Sequence, residues 1–231
     1  MHRFYLPNFQ QPQLTATETH HATNVLRVKA GDSVNVFDGR GHEAQAKFGE
    51  AGKLALLNQA TTAPLPCRIT LAQAVPKKNM ELIVQKATEL GVATIVPLIS
   101  ERTLKRPADT PDRWRDIALE ACKQSGNNWL PAIESPRQAQ TFFADTGRYD
   151  LKLVASLQPG ARPLKELLAG ARPKSVLVLI GPEGDFTPAE IASAQNAGCL
   201  PLSLGPLVLR AETAAIYALS ILHHELQTVP A

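Results

Sequence analysis

The last quarter of the sequence contains two glycine turns whose residue types and positions favour ligand binding. A Gly-Pro-Glu-Gly turn at 181–184 follows an apolar run at 176–180 and precedes a helix start at Thr187. A Gly-Pro turn at 205–206 follows a second short apolar run at 200–204. Glycine allows the backbone to approach a ligand closely, and α/β proteins hold small ligands at the carboxyl ends of their strands. The two turns therefore predict a small-molecule site.

The residue types of the first turn narrow the class of ligand. Between Gly181 and Asp185 the sequence lacks the Lys-Ser/Thr ending of a phosphate-binding loop and the glycine spacing of a dinucleotide-binding fingerprint. The carboxylates of Glu183 and Asp185 would repel a polyphosphate at close range. They suit a cationic or neutral ligand better, and an ordinary strand-to-helix turn is the structural alternative.

Arg210 and Glu212 are two charged residues in an otherwise apolar segment just before the final helix. One interpretation is a surface ion pair, which adds little stability. The functional interpretation is a guanidinium fixed beside the ligand turn, where its rigid fork of donors stabilises charge or positions a base. The residues alone leave both interpretations open.

Cationic side chains are scattered along the chain and form a candidate anion-binding surface. Acidic residues are mixed among them, so a solvated surface is the default interpretation. The segment 101–106 nevertheless holds three cations and one anion where the chain leaves a predicted strand, and phosphate contacts suit such a loop. The scattered cations are Lys77, Lys78, Arg102, Lys105, Arg106, Arg113 and Arg115, with Arg3 and Arg27 nearer the N-terminus.

The cysteines and histidines argue against a metal site. The three cysteines are far apart and form no Cys-x-x-Cys, which favours a reducing compartment and excludes a zinc cluster of that type. The histidine pairs at 20–21 and 223–224 are sequence neighbours. Neighbours on a helix point in different directions, so neither pair forms a chelating face.

Size and charge permit one domain or two. A chain of 231 residues can bury a sufficient core without disulfides, and a net charge of +3 permits an anionic partner without requiring one. No apolar run is long enough to span a membrane, and residues 1–7 lack the apolar core of a signal peptide. We therefore expect a cytoplasmic protein.

The predicted elements that position the candidate residues follow two different secondary-structure patterns, one before and one after residue 72. Before residue 72, short β-type runs at Ser33–Phe37, His42–Phe48 and 53–58 are separated by glycine turns, with one short helix after Thr17 that carries Val25 and Leu26. Closely spaced short strands are typical of a small barrel. After residue 72, strands alternate with helices, as in a mostly parallel sheet. The predicted elements there include a helix capped by Asn79, a strand at Thr94–Ile99, a helix at 111–125 and a helix opened by the capping box at 187–190.

Four motifs carry a resemblance to a known family. They are Gly-Pro-Glu-Gly at 181–184, Leu-Gly-Pro-Leu-Val-Leu-Arg-Ala-Glu-Thr-Ala at 204–214, Glu-Leu-Gly-Val at 89–92 and Glu-Ala-Cys-Lys-Gln-Ser at 120–125. In this order and at these separations, they resemble the ribosomal RNA small subunit methyltransferase E family of the SPOUT class. The resemblance covers nearly the whole chain, because the segments at 2–5, 21–27 and 38–39 are similar to the family's N-terminal PUA-like domain.

The resemblance implies a fold, an activity and partners. The implied fold is α/β, with a small PUA-like β-barrel at 1–72 and a SPOUT domain at 73–231 that contains a deep trefoil knot at about 176–222. The implied activity, part of rRNA processing and ribosome biogenesis, is methyl transfer from S-adenosylmethionine to N3 of a specific uridine in 16S ribosomal RNA. The implied partners are the small ribosomal subunit and a second copy of the chain in a homodimer, without DNA or a membrane.

The resemblance also implies roles for individual residues. Arg210 would stabilise the uridine anion, Glu212 would orient Arg210, and Glu183 is a candidate base. The implied cofactor-binding residues are Leu179, Ile180, Gly181, Pro182, Glu183, Gly184, Leu202, Leu204, Gly205, Val208, Leu209 and Thr213. The implied RNA-binding residues are Arg3, Arg27, Lys77, Lys78, Arg102, Lys105 and Arg106.

Two positions depart from the family pattern, and two other functions stay open. Asp185 stands where the family commonly has a glycine, and Asn127 stands where an arginine is common. One alternative function is 2′-O-methylation of another RNA by the same fold and cofactor. The other is a non-catalytic RNA-binding factor in ribosome assembly.

Overall fold

The computed structural model describes residues 1–227, and contacts between Cα atoms divide the chain into two compact units. The first unit joins Met1–Pro64 to Leu119–Leu130, and the second joins Leu65–Ala118 to the chain from Pro131 onward. The boundary expected at residue 72 falls inside a strand of the second unit. The division into 1–72 and 73–231 stays a prediction.

Strands and helices alternate most regularly in the second unit. In chain order the strands are β1 (Arg3–Tyr5), β2 (Ser33–Phe37), β3 (His42–Phe48), β4 (Leu54–Thr61), β5 (Arg68–Ala74), β6 (Thr94–Ile99), β7 (Ala132–Ile133), β8 (Arg137–Gln138), β9 (Leu151–Ala155), β10 (Ser175–Ile180) and β11 (Leu200–Leu202). The helices are α1 (Ala16–His20), α2 (Met80–Glu89), α3 (Asp112–Ser125), α4 (Ala139–Ala144), α5 (Leu164–Leu168), α6 (Pro188–Asn196) and α7 (Ala211–Leu226).

The first unit is built on a sheet ordered β1-β2-β3-β4. β1 lies parallel to β2, and the other neighbours are antiparallel. Alternate residues of β2 and β3, such as Val34, Val36 and Ala46, are buried in a core with Phe4 and Phe48. This period of two is the pattern of a strand with one buried face. The strands predicted at these positions are confirmed, and closure of the sheet into a barrel stays a prediction.

The short helix expected near Thr17 is present as α1. Thr15 Oγ1 caps it by accepting a hydrogen bond from the Glu18 N–H at 3.2 Å. The chain then continues through a wider π-helical turn at His21–Val25. Val25 is exposed at the end of this turn, and Leu26 follows it and packs on the core. The helical stretch therefore reaches Val25 as expected, with its second half π-helical.

The segment 119–130 adds paired charges to the first unit. Lys123 is bonded to the carboxylates of Glu18 and Glu120, and the side chains of Lys123 and Glu18 are 8% and 9% exposed. The Arg3 guanidinium is bonded to Asn128 and lies 4.5 Å from the centre of the Phe37 ring. Removing one partner of a buried ion pair is strongly destabilising, so these contacts fix the segment to its unit.

The second unit contains a parallel sheet ordered β11-β9-β10-β5-β6-β7, and β8 also pairs with β6. Every strand pair in it is parallel. Parallel sheets are covered on both faces, so their strands are continuously apolar. β5, β6 and β10 show this composition, and a core that includes Leu98 and Leu177 lies between the sheet and its helices. The strand at Thr94–Ile99 and the parallel sheet are confirmed.

Helix starts in the second unit follow the sequence signals with one correction. Thr187 and Glu190 form the expected capping box of α6. Asn79 does not cap α2 with its side chain, because its backbone adopts the left-handed region (φ 67°) and its amide bonds elsewhere. The final helix begins at Ala211, after the extended residue Arg210. None of the helices within residues 1–227 is long and apolar enough to cross a membrane.

Candidate functional site

A cleft opens at the carboxyl ends of β9 and β10 in the second unit. It holds about 580 Å³ of space, including its solvent-open mouth. Parallel α/β sheets bind ligands at this edge. The lining residues are Ala155, Ser156, Leu157, Ile180, Gly181, Pro182, Glu183, Asp185, Leu204, Leu207, Val208, Leu209, Ala211 and Ala214.

Gly181 is required by the tight turn that follows β10. A Cβ at this position would lie 2.7 Å from Asp185 Oδ1 and 3.0 Å from the Phe186 backbone nitrogen. Backbone atoms cannot move aside cheaply, so a side chain here would open the turn. A Cβ at Gly184 would meet only the Arg102 side chain, at 3.3 Å. The first glycine of the turn therefore carries the steric constraint.

Gln73 holds the turn from inside the protein. Its side chain is fully buried at the end of β5, and its Nε2 donates to the carbonyls of Ala74 (2.8 Å) and Gly181 (3.3 Å). Within residues 1–227 the Gln73 Oε1 atom has no hydrogen-bond partner. Leaving a buried amide oxygen without a hydrogen-bond partner costs free energy. We infer that the two hydrogen bonds donated by Nε2 offset this cost and position the turn.

The turn is also fastened to the loop after β6. Glu190 Oε1 accepts from the Glu101 N–H at 2.9 Å, while Oε2 of the same buried carboxylate accepts from the Thr187 N–H at 2.9 Å. Arg102 Nη1 donates to the Gly184 carbonyl at 2.6 Å. The predicted phosphate-binding loop and the predicted cofactor turn are therefore one connected structure.

The charged side chains that line the cleft are carboxylates. Glu183 is exposed, and its Oε1 accepts a hydrogen bond from the Lys77 N–H at 2.8 Å. Asp185 is half-buried, and burial raises the pKa of its carboxyl above the usual range. The Phe186 N–H and the charge of Arg102 partly offset that rise in pKa, while the charge of Glu190 adds to it.

Seven of the residues expected to bind a cofactor are brought together by the cleft. Those that line it are Ile180, Gly181, Pro182, Glu183, Leu204, Val208 and Leu209, and those that do not are Leu179, Gly184, Leu202, Gly205 and Thr213. Leu179 and Leu202 are buried in the core, which places their side chains behind the cleft wall.

Arg210 and Glu212 lie at the start of α7 and do not line the cleft. The Arg210 side chain is exposed, and its carbonyl accepts the Ala214 N–H at 2.8 Å. Glu212 Oε1 accepts from Asn79 Nδ2 at 2.9 Å, and no ion pair joins Glu212 to Arg210 in the part of the chain that the structure describes. The expected orientation of Arg210 by Glu212 stays a prediction.

Sequence reasoning missed one wall of the cleft, which runs from Ala155, the last residue of β9, to Leu157. The Ser156 N–H donates to the Leu202 carbonyl at 3.0 Å, which holds this wall beside β11. The available signal was the apolar stretch Leu151–Ala155, followed by Ser-Leu-Gln-Pro-Gly at 156–160, which is a typical turn composition.

The expected RNA-binding cations comprise three lysines of one groove, three arginines with hydrogen bonds inside the protein, and Arg27. Lys77, Lys78 and Lys105 are exposed and line one groove with Arg113 and the start of α2. Arg102 is bonded to the Gly184 carbonyl, Arg106 to the carbonyls of Thr103, Ser100 and Glu101, and Arg3 to Asn128 and Glu43. Arg27 is exposed in the first unit with a left-handed backbone (φ 56°).

Three large apolar or aromatic side chains at the cleft and on the final helix are exposed. Leu207 and Val208, which line the cleft, are 72% and 80% exposed, and Tyr217 of α7 is 44% exposed.

Asn127 lies in the first unit, where its Oδ1 accepts the Trp129 N–H at 2.9 Å. No group of three or more metal-ligating side chains occurs among residues 1–227.

Comparisons with known proteins match the two parts of the chain separately. Residues 63–223 match a family model described as an RNA methyltransferase domain, and residues 14–57 match an RNA methyltransferase PUA domain. A ribosomal RNA small subunit methyltransferase E from Synechocystis is 35% identical over 216 residues, which cover 90% of this chain and 71% of the relative. Its counterpart in Bacillus subtilis is 30% identical over 228 residues, which cover 92% and 89%.

A solved structure is similar over the full fold. The crystal structure of a ribosomal RNA small subunit methyltransferase E from Neisseria gonorrhoeae, bound to S-adenosyl methionine, superposes with a TM-score of 0.88 at 32% identity. The match covers 98% of each chain. The α/β architecture and the N-terminal PUA domain are thereby confirmed.

Replacing Gln73 tests whether it positions the turn. We expect Gln73→Leu to lower the free energy of unfolding by about 1–2 kcal/mol, because two buried carbonyls lose their donor. Gln195→Leu, on the exposed face of α6, should change it by less than about 0.5 kcal/mol. Urea denaturation measures both, and equal stabilities would contradict a positioning role.

Proposed function

The chain belongs to the ribosomal RNA small subunit methyltransferase E family, and we propose that it methylates N3 of a specific uridine in 16S ribosomal RNA. S-adenosylmethionine is the methyl donor, and the substrate is the small ribosomal subunit in the cytoplasm. The observation that carries the proposal is the cleft at the carboxyl edge of the parallel sheet, which is lined by the first glycine turn and by Leu204 and Leu207 on either side of the second. The fold of the chain is similar to that of a relative bound to S-adenosyl methionine.

The residues of the cleft fit this cofactor. When bound, S-adenosylmethionine supplies an electrophilic methyl group on a cationic sulfur. Apolar walls from Ile180, Leu204 and Leu209 suit its adenine and carbon chain. Gly181 allows the tight turn that forms one wall of the cleft, and the carboxylates of Glu183 and Asp185 suit the positive charge of the cofactor. The same carboxylates would disfavour a nucleoside triphosphate.

Uridine N3 carries a proton and attacks a methyl group only after that proton leaves. We assign Glu183 as the candidate base, because it is the exposed carboxylate of the cleft. Arg210 is assigned to stabilise the uridine anion, since its exposed guanidinium stands directly after the lining residue Leu209. Glu212, bonded to Asn79, fixes the start of α7 and so positions Arg210.

The target base must be unstacked from the RNA before its N3 atom can reach the cleft. We assign Lys77, Lys78 and Lys105 to hold the RNA backbone in their groove, where exposed ammonium groups suit phosphates. The groove adjoins the cleft, because the Lys77 backbone is bonded to Glu183. Arg27 of the first unit is assigned a phosphate contact of its own, since its side chain is exposed. Arg3, Arg102 and Arg106 stay assigned to RNA as well, although their guanidinium groups also make hydrogen bonds within the protein.

We propose that two copies of the chain form a homodimer. Leu207 and Val208 line the cleft yet are largely exposed, so a second copy that covered them would complete each site. Exposed apolar side chains beside a site mark interfaces. Sedimentation velocity should give twice the 25.0 kDa mass of one chain, and Val208→Asp should shift it to one chain. A monomeric native protein would contradict the proposal.

The trefoil knot at 176–222 is part of the same proposal. β11 pairs with β9 on one side, and the Arg162 N–H and carbonyl bond the Pro201 carbonyl and the Ser203 N–H on the other. The connection at 156–161 therefore carries the chain from one edge of the strand at 200–203 to the other. This crossing supports the proposed threaded path.

The decisive experiment supplies small ribosomal subunits that lack the modification with the protein and methyl-labelled S-adenosylmethionine. Mass spectrometry of the digested RNA should find labelled 3-methyluridine. Arg210→Ala should reduce turnover at least about 100-fold, because removing one donor to a developing anion costs that much. The affinity of this variant for S-adenosylmethionine, measured by calorimetry, should stay within about twofold of the native value, since Arg210 does not line the cleft.

Each other outcome has a distinct meaning. A labelled 2′-O-methyl nucleoside would replace the uridine N3 target while keeping the cofactor. Cofactor binding without label in any RNA would favour a non-catalytic assembly factor. Loss of cofactor binding in Arg210→Ala would move Arg210 from the target base to the cofactor.

The basic groove predicts a specific effect of salt. The double variant Lys78→Ala/Lys105→Ala should weaken RNA binding, and the slope of log affinity against log salt should fall by about one to two. Its matched control is Lys165→Ala/Lys174→Ala, which removes two exposed lysines of the same unit outside the groove. Equal salt slopes for the two variants in filter-binding assays would exclude the groove as the phosphate site.

A further inference from the structure

The charged side chains that line the cleft are both acidic. Its lining residues include two carboxylates, Glu183 and Asp185, and no Lys, Arg or His anywhere in the lining that the structure describes. The other lining side chains are apolar, with Ser156 as the polar exception. Charges in a partly buried site are screened less than charges in water, so this sign favours a cation.

Asp185 is the better placed of the two carboxylates. Its Oδ1 accepts the Phe186 N–H at 2.7 Å, and its own N–H donates to the Pro182 carbonyl at 2.9 Å. Its backbone adopts the left-handed region (φ 59°), which holds the carboxylate against Gly181. The Oδ2 atom has no hydrogen-bond partner within residues 1–227, and it is therefore available to a ligand in the cleft.

Glu183 contributes less to the field of the cleft. Its side chain is exposed to water, and its Oε1 is already engaged by the Lys77 N–H. Solvent weakens the interaction of an exposed charge with a ligand. Arg102, the cation whose charge acts on Asp185, is bonded to the Gly184 carbonyl and is not among the lining residues.

We propose that Asp185 makes the cleft select the charged cofactor, so that S-adenosylmethionine binds more tightly than S-adenosylhomocysteine. The inference rests on the proposed function. In methyl transfer the N3 proton passes to Glu183, a bond forms between uridine N3 and the methyl carbon, and the bond between that carbon and sulfur breaks. The electron pair of the broken bond stays on sulfur, so the sulfonium becomes a neutral thioether. The ammonium and carboxylate groups are the same in both molecules, which differ only at sulfur, where the donor carries a methyl group and a positive charge and the product carries neither. Asp185 thus favours binding of the donor and release of the spent product.

Calorimetric titration of the native protein and of Asp185→Asn with each molecule tests this selection. Asparagine has the same shape, tolerates positive φ and keeps an acceptor for the Phe186 N–H. We expect the variant to bind S-adenosylmethionine about fivefold to tenfold more weakly, as expected for one charge pair in partly solvated surroundings. Its affinity for S-adenosylhomocysteine should stay within about twofold. Glu166→Gln, which removes an exposed carboxylate from α5, is the matched control and should change neither affinity.

The other outcomes overturn the proposal. Equal weakening for both molecules would mean that Asp185 contacts a group they share, and unchanged affinities would mean that its charge does not reach the ligand. Native protein that binds neither molecule would contradict the proposed function itself. Asp185→Gly relieves the left-handed backbone and removes the same charge, so it provides the second neutral variant if Asp185→Asn unfolds.

Discussion

The turn after β10 depends on the close approach of Asp185 and Phe186 to the Cα atom of Gly181. A Cβ there would lie 2.7 Å from Asp185 Oδ1, so only glycine allows the chain to reverse within this space. Gln73 fixes the Gly181 carbonyl from the interior, and Thr187 starts α6 immediately beyond the turn. The position of the cleft wall therefore follows from one contact that no larger residue permits.

The same turn is bonded to the loop after β6, which carries Arg102. Glu190 serves two elements at once, because one oxygen closes the capping box of α6 and the other holds the loop after β6 through the Glu101 N–H. Arg102 completes this fastening at the Gly184 carbonyl. This hydrogen bond uses one of the five N–H donors of the Arg102 guanidinium and gives rigidity to the site. The lysines of the groove are exposed, so they are open to phosphates.

Local signals in the sequence predicted the elements that depend on local chemistry. The apolar run of β10, the capping box of α6 and the alternation in β2 and β3 each define an element without help from distant residues. Strands β7 and β8 are two residues long, which is too short for any periodicity, and α5 spans one turn. The internal bonding of Arg3 and Arg106 was also hidden, because a cation that binds a distant carboxamide or its own loop carbonyls has the same local sequence as one that meets RNA.

The second unit has basic side chains in its groove and acidic side chains in its cleft. Lys77 connects the two sites, because it lines the groove while its backbone N–H donates to Glu183, which lines the cleft. Asn79, two residues later, connects the groove to the start of α7 through Glu212. RNA can therefore bind in the basic groove while a cationic cofactor binds in the neighbouring acidic cleft, and neither site repels its ligand. The negative phosphates of a bound RNA would add to the field of Asp185 and Glu183, so the substrate itself would strengthen the preference of the cleft for a sulfonium over a neutral thioether.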